Sequence, residues 1–485
     1  MNKNAVIGYL PDERPPALKL LLYAIQQVIV MFPATIAVAL ITGFQVSTTI
    51  FASGLATLCF ILISGKKIPL YYGSSFSYLT AVISLMTSES ITSKLSPEAL
   101  TQLTNWLNKT TPVMPGEAIA YAQFGIIMSG FVSIIAGLIV RVSGKNGVEK
   151  VLPATITGSI AMVIGLTLAG NAIGDAAPAM ANGAAVAGVL GSSWVWVVSL
   201  ATLLSTILFS RYLKGFLGQL PLLLGAAVGC ATAGIIYWAG GADFNMFRAM
   251  PPEALSASLW SAGPIAVPAF TLPKFSVEAI LAIMPIAIAT IPESTAHIFQ
   301  LDIYVNDLAK KKGSTKEYKL ANMLDRNLIG DGICDMISGF VGGPAGTNYG
   351  ENISTMAITR VFSIPVLIVA SVIAMVISFF TPLIQGIYAI PLGVIGGLEI
   401  YLFGAIAAQG IAIMIDKKVD LFSAKNVAVI ATIMILGLGG KYAFGGNIPF
   451  FGVQVPCIAG AAIFGILLNL ILSIGEKHNK EAAAE

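Results

Sequence analysis

The sequence is poor in charge. Of its 485 residues only 11% are Asp, Glu, Lys or Arg, against 56% hydrophobic. A soluble chain of this length carries about 25% charged residues. This composition cannot clothe a water-facing surface. It suits one that faces lipid, and apolar runs of about 20 residues recur along the whole length. Cysteine is scarce too. Cys59, Cys230, Cys334 and Cys457 lie in apolar stretches without CxxC spacing, which excludes a disulfide framework or a metal site and leaves small core residues. There are two histidines, His297 and His478. No HExxH, no nucleophile–base arrangement and no cofactor fingerprint occurs, so an intramembrane enzyme lacks its machinery. The net charge of +3 offers nothing to nucleic acid. Large polar domains are missing: the longest polar excursions are 89–116, 240–276 and 301–322. The start, Met1 to Leu18 with Pro11, Pro15 and Pro16, reads as no cleavable signal, because the apolar run that follows exceeds a signal's h-region.

What is present is a series of fourteen hydrophobic segments, near 18–42, 45–64, 70–88, 117–140, 152–174, 193–209, 217–239, 277–300, 327–343, 350–361, 362–383, 390–415, 424–439 and 453–474. The third and tenth are too short or too polar to span alone, and the ninth is marginal. The Lys and Arg bias tests this order. With a cytoplasmic N-terminus, the inside segments hold Lys3, Arg14, Lys19, Lys66, Lys67, Arg141, Lys145, Lys150, Arg211, Lys214, Lys310, Lys311, Lys312, Lys316, Lys319, Arg326, Arg360, Lys417, Lys418, Lys425, Lys477 and Lys480. The outside segments hold Lys94, Lys109, Arg248, Lys274 and Lys441, so 22 fall inside and 5 outside of the 27 in all. A wrong span count would scramble this alternation. The expectation is an all-α polytopic protein of the inner or plasma membrane with both termini cytoplasmic.

Two of the segments match each other. The third reads Tyr72-Gly73-Ser74-Ser75-Phe76-Ser77 and the tenth Tyr349-Gly350-Glu351-Asn352-Ile353-Ser354. One follows Ile68-Pro69, the other Gly342-Gly343-Pro344-Ala345-Gly346. They are third in the first seven segments and third in the second seven. An odd number of spans per repeat inverts the second copy, the pattern of an inverted repeat with interrupted helices. Irregular backbone at membrane depth is tolerated where it lines a cavity or is buried in protein, and two half-helix N-termini would point into one central site.

Ionisable residues within spans cost roughly 2.5–3.5 kcal/mol each on insertion scales and are functional hypotheses by default. Glu293 and His297, in Pro292-Glu293-Ser294-Thr295-Ala296-His297, stand at i and i+4 and share a helix face. They can relay a proton, since an apolar span favours the neutral carboxyl and a nearby imidazolium opposes that. A buried pair that merely ties two helices is the bland alternative. Glu351 sits at the tenth-segment break, where capping its own half-helix and binding a ligand are compatible roles. Asp331 and Asp335 read as an N-cap and an interfacial charge rather than a proton relay. Glu399 has no partner in sequence. Two intramembrane glutamates, one able to donate when protonated and one to accept, suit a small planar ring of alternating N–H and C=O groups.

At these residues the chain resembles the nucleobase–ascorbate transporter family (nucleobase–cation symporter-2), and within it the bacterial uracil permease branch. The motifs are Tyr72 to Phe76, Glu293 to His297, Gly330-Asp331-Gly332, and Asn348 to Ile353 continuing as Met356-Ala357-Ile358-Thr359-Arg360-Val361. The resemblance implies seven plus seven inverted spans, with short strands and half-helices in segments three and ten. It implies a core domain from 1–150 and 277–383, and a gate domain from 151–276 and 384–485, the last ending in a short cytoplasmic tail. It also implies proton-coupled uptake by elevator-like movement, in a homodimer, with the proton as coupling ion and no resident cofactor or metal. By position, Glu293 and Glu351 would bind the base. His297 would support Glu293 in proton coupling. Phe76 and Gly350 would add backbone contacts, and Ala34, Ser75 and Tyr349 would pack around the ring.

His four residues after the first Glu, and the Gly350-Glu351-Asn352 run, resemble uracil-type members more than xanthine or urate types. The departures from the family pattern are Gln26-Gln27 for Gln-His, Pro33 for a glycine, Ser294 for a His, and Phe403 for a Tyr at a gate position. A purine symporter of the same family is the alternative. An anion exchanger of like architecture, often carrying a soluble C-terminal domain, and a channel, which needs no proton-coupled acid pair, are the further ones.

Overall fold

The computed structural model describes residues 8–143, 152–181, 184–215, 217–249, 263–451 and 453–474. Lys3, Lys145, Lys150, Lys477, Lys480 and the C-terminal tail, which enter the charge count, lie outside them, as does His478. The apolar runs form helices because a helix satisfies its backbone internally, as lipid requires. Among the described residues nine stretches are helical, long and apolar enough to cross a membrane: Ala17–Thr42, Val46–Ile63, Gly116–Val142, Ala154–Ala176, Trp194–Tyr212, Pro221–Gly240, Val277–Lys311, Leu392–Asp416 and Ala424–Phe444. Phe76–Met86, Ile364–Ile377 and Cys457–Ser473 are apolar but shorter.

The helices that matter here are α1 (Ala17–Thr42), α2 (Val46–Ile63), α3 (Leu79–Met86), α4 (Gly116–Ser143), α5 (Ala154–Thr167), α6 (Ala169–Ala176), α7 (Trp194–Tyr212), α8 (Pro221–Gly240), α9 (Val277–Ile283), α10 (Ala287–Lys311), α11 (Leu324–Val341), α12 (Gly350–Thr359), α13 (Ile364–Ile377), α14 (Leu392–Asp416), α15 (Ala424–Phe444) and α16 (Cys457–Ser473). Two packing groups emerge. In one, α11 lies against α4 and α2, and α13 against α2 and α1. In the other, α14 lies against α5, α6 and α7, with α15 on α5 and α16, and α8 on α7.

The 301–322 excursion is shorter than its polarity suggests. Helix α10 runs on to Lys311, with Leu301, Val305, Leu308 and Ala309 buried and Lys310 and Lys311 in its last turn. Its spacing of buried residues is helical, and the charges sit on the other face.

Segments three and ten meet as a two-stranded antiparallel ladder. Strand β1 (Tyr72–Ser74) pairs with β2 (Gly346–Asn348), placing Tyr72 opposite Asn348 and Ser74 opposite Gly346. Ser75 N–H to the Ala345 carbonyl (2.9 Å) and Tyr349 N–H to the Tyr71 carbonyl (2.9 Å) extend it at both ends. The α2 hydroxyls cover its edge: Ser53 Oγ donates to the Tyr72 carbonyl at 2.8 Å, and Thr57 Oγ1 accepts from Tyr72 N–H at 3.0 Å.

Glycine is required where tyrosine rings cross this ladder. A Cβ on Gly73 would lie 2.2 Å from the Tyr349 ring, and one on Gly346 would lie 2.3 Å from the Tyr72 ring and 2.5 Å from the Gly73 carbonyl oxygen. Gly346→Ala is therefore expected to destabilise the protein by about 1–3 kcal/mol, the usual cost of overpacking. A thermal melt of the detergent-solubilised variant checks this; an unchanged midpoint would mean the crossing is looser than described.

Candidate functional site

Each broken segment ends its strand by starting a helix. After β1, Phe76–Tyr78 forms a single 3-10 turn leading into α3, and the Ser75 side chain accepts from the Ser77 N–H at 3.3 Å. After β2, Tyr349 is extended and α12 begins at Gly350, with Glu351 in its first turn. Both helix starts border a cavity of about 950 Å³, closed on another side by α10. Phe76, Glu293, His297, Tyr349, Gly350 and Glu351 all line it. Ser75 and Ala34 do not: both are buried behind the wall.

The two acids come from different elements and face the same space. Glu293 on α10 is half-buried and Glu351 is open to the cavity, and each lies within the other's electrostatic reach. The histidine is turned elsewhere. Among the described residues no hydrogen bond joins His297 to Glu293. Its ring lies beside the start of α12, where a Cβ on Gly350 would sit 3.0 Å from Nε2, and within reach of the Asn348 main chain. Spacing of i and i+4 puts two side chains on one face; it does not make them touch.

Tyr349 is also committed to the scaffold. Its hydroxyl lies 2.9 Å from Thr35 Oγ1 on α1 and donates to the Ser74 carbonyl at 3.2 Å. Only the ring remains for a ligand. Phe76 meets Phe403 of α14 edge-on, with centroids 6.0 Å apart. That contact joins the two packing groups at the cavity wall.

The acids of α11 are not interfacial. Asp331 and Asp335 are buried well inside a helix that starts at Leu324, so neither is an N-cap. Asp335 Oδ1 accepts from the Tyr72 hydroxyl and, at 2.8 Å, from the Gly346 N–H. One oxygen thus ties both strands to α11. Asp331 Oδ2 accepts from Asn348 Nδ2 at 3.1 Å; that same Nδ2 reaches Asn327 Oδ1 at 3.1 Å, and Asn327 Nδ2 reaches the Ser294 carbonyl at 3.1 Å. This chain of polar groups connects β2 to α10 next to Glu293. Asp331 Oδ1 and Asn348 Oδ1 find no hydrogen-bond partner among the described residues, so the network satisfies its buried polar atoms only in part.

Sequence reasoning missed one further link. Asn352 Nδ2 donates to the Gln27 carbonyl at 3.0 Å and to its Oε1 at 2.7 Å, fixing α12 to α1. The Gln26-Gln27 pair marked the place without revealing the partner. Glu399 lies away from this site. It is buried in the upstream half of α14, and among the described residues neither oxygen has a hydrogen-bond partner.

A bundle of apolar helices, interrupted at two points that meet beside a cavity bearing two carboxyl groups, defines a membrane permease. Its helices superimpose on solved transporters: the transmembrane domain of a cyanobacterium bicarbonate transporter, BicA (TM-score 0.56, 15% identity, 88% of this chain and 97% of that one). The murine anion transporter Solute Carrier 26 family member A9 in its inward-facing state gives a TM-score of 0.63 at 12% identity, over 96% of this chain and 69% of that one. These likenesses show the fold. Residues 18–446 match the model described as "Permease family". The uracil permease of Bacillus caldolyticus is 33% identical over 464 residues, 95% of this chain and 94% of its own length. That of Escherichia coli (strain K12) is 31% identical over 464 residues, 96% and 93% respectively. The chain belongs to the nucleobase–ascorbate transporter family, in its bacterial uracil permease-like branch.

Proposed function

We propose that the chain is a proton-coupled nucleobase symporter that takes up uracil by elevator-type alternating access. One observation carries this reading: Glu293 and Glu351 face one cavity from different elements, beside the helix start at Gly350. Uracil alternates N–H and C=O around its ring. An ionised carboxylate accepts from the N–H groups, a protonated one donates to a carbonyl, and the free N–H groups at the start of α12 donate to the other. One proton shared between two facing acids also removes their repulsion, so substrate and proton favour each other. The Phe76 and Tyr349 rings supply apolar faces.

In this reading the first packing group, 1–150 with 277–383, is the core that carries the substrate site. The second, 151–276 with 384–485, is the gate. The two halves of the chain form an inverted repeat of seven plus seven segments, and the protein works as a homodimer in the plasma membrane. The relatives named uracil permease support the substrate. The cavity extends past Lys417, Lys418 and Lys425, three of the cations that the charge bias assigns to the cytoplasm. The conformation is then open to the inside.

Uptake of a labelled nucleobase panel into vesicles with an imposed pH gradient tests the reading. Gradient-driven accumulation of uracil supports it; preference for xanthine or urate would move the chain to the purine side of the family, and leak without accumulation would make it a channel. Topology is tested separately. Lys312 is unsuitable as a reporter because its ammonium is tied to Glu13 (2.6 Å) and to the Gly8 carbonyl (3.0 Å). Lys310, exposed in the last turn of α10, serves instead. A cysteine there should resist impermeant thiol reagents outside intact cells, and ready labelling would reverse the orientation.

A further inference from the structure

Helix α14 carries Glu399 about 27 Å upstream of Lys417, at a rise of 1.5 Å per residue, and so toward the end remote from the cavity mouth. The side chain is 1% exposed and, among the described residues, neither oxygen has a hydrogen-bond partner. An ionised carboxylate in that setting is costly unless a cation or a proton joins it.

The surroundings are closely built. A Cβ on Gly396, one turn before Glu399, would sit 2.1 Å from the Ala176 nitrogen and 2.4 Å from the Asp175 carbonyl carbon. The end of α6 therefore lies directly on this face of α14. Ser199 of α7 locks the junction by donating to the Ala176 carbonyl at 2.8 Å. The charged groups within electrostatic reach of Glu399 are Asp175 and Lys109. From α7 the facing groups are Ser199 and Thr202, against Gly397, and from α5 Gly165, against Phe403. Arg248, whose Nε donates to the Ile390 carbonyl at 2.9 Å, lies within electrostatic reach of Asp175 and of Tyr388.

Lys109 makes the arrangement more than an acidic pocket. It lies between the short helix Pro97–Leu107 and α4, in the part of the chain that packs with the first helix group. Its ammonium pairs with Asp175, which belongs to the second. An ion pair thus crosses from one group to the other beside a carboxyl group that has no hydrogen-bond partner among the described residues.

We propose that Glu399 is a second proton-binding site, separate from the substrate cavity, beside the Lys109–Asp175 ion pair that holds the two helix groups closed on that face. When the groups part, Lys109 leaves with its own group. Glu399 then faces Asp175 with one cation fewer, and a proton from the solution on that side bonds to a Glu399 oxygen. On closing, the ammonium returns and the proton leaves to the same solution. One cation replaces another, and no charge accumulates in the pocket. Acid on that side consequently favours the open form. The proposal rests on the transport reading only in that the two groups move apart; it does not depend on the nucleobase.

The test uses the full-length protein in vesicles. Lys109→Cys with Asp175→Cys, oxidised, should stop substrate exchange, and a reductant should restore it; exchange at the same rate with the disulfide formed overturns the latch. Exchange is then followed with the pH on that side lowered from 8 to 5.5 at constant pH on the other. The parent protein should speed up several-fold. Glu399→Gln should lose that rise, and Lys109→Gln should already be fast at pH 8. A parent-like rise in Glu399→Gln places the proton elsewhere. Glu399→Met repeats the measurement should Glu399→Gln fail to fold. If the parent moves no nucleobase, the substrate reading fails alone. Hydrogen exchange over 169–176 and 392–399 still reads the latch, which should loosen with acid in the parent and not in Glu399→Gln; equal loosening in both overturns it.

Discussion

Glu351→Gln should weaken uracil binding by roughly 10- to 100-fold while leaving the fold intact. The substitution keeps the shape and one acceptor oxygen, and it removes the charge. A hydrogen bond to a charged group contributes about 1.5–3 kcal/mol, and each 1.4 kcal/mol is tenfold in Kd. The fold survives because Glu351 opens onto the cavity, whereas the contacts that hold α12 belong to Asn352 and Gln27. Calorimetric titration with uracil, beside a thermal melt, separates the two effects. Parent-like affinity would reduce Glu351 to a cap on its own helix.

The second large effect concerns coupling. Glu293→Gln is a permanent stand-in for the neutral acid. It should retain uracil binding and equilibrium exchange across the membrane, yet lose accumulation driven by a pH gradient. Glu293 lies within electrostatic reach of Glu351, while the His297 ring lies beside Gly350 at the start of α12. His297→Ala should therefore lower affinity while gradient-driven uptake persists. Paired assays on reconstituted vesicles, exchange without a gradient and uptake with one, read both variants. If Glu293→Gln still concentrates uracil, the proton is carried by another acid, with Glu351 and Asp331 next in line.

The elements that were legible from sequence are those whose signal is local. Apolar runs gave the long helices, and the repeated Tyr-Gly steps at 72–73 and 349–350 marked both chain breaks. The cavity collects Glu293, His297, Glu351, Phe76, Gly350 and Tyr349, all named from the sequence and the family resemblance. What stayed hidden depends on partners far along the chain. Asp331 and Asp335 looked interfacial because the strand above them, β2, carries no charge to announce itself. The Gln27–Asn352 bond spans 325 positions. Spacing also overstated the Glu293–His297 pair, because a shared helix face leaves the direction of each side chain free. The C-terminal half of α10 was missed for a different reason: its buried stripe is too narrow to raise the average hydropathy of a window that includes Asp302, Asp307 and two lysines.

The ladder between β1 and β2 also sets a schedule for biosynthesis. Its two strands are about 275 positions apart. At about 5–20 residues per second, β1 leaves the ribosome roughly 15–55 s before its partner exists. During that interval its peptide groups lie beside lipid-embedded helices with no strand to bond, a state that hydrocarbon does not tolerate. The hydroxyls of Ser53 and Thr57 answer this need. They come from α2, which is complete before β1 is made, and in the folded protein they bind both the N–H and the carbonyl of Tyr72. On this view α2 shelters the first strand through assembly, and the second strand completes a site that had been kept ready for it.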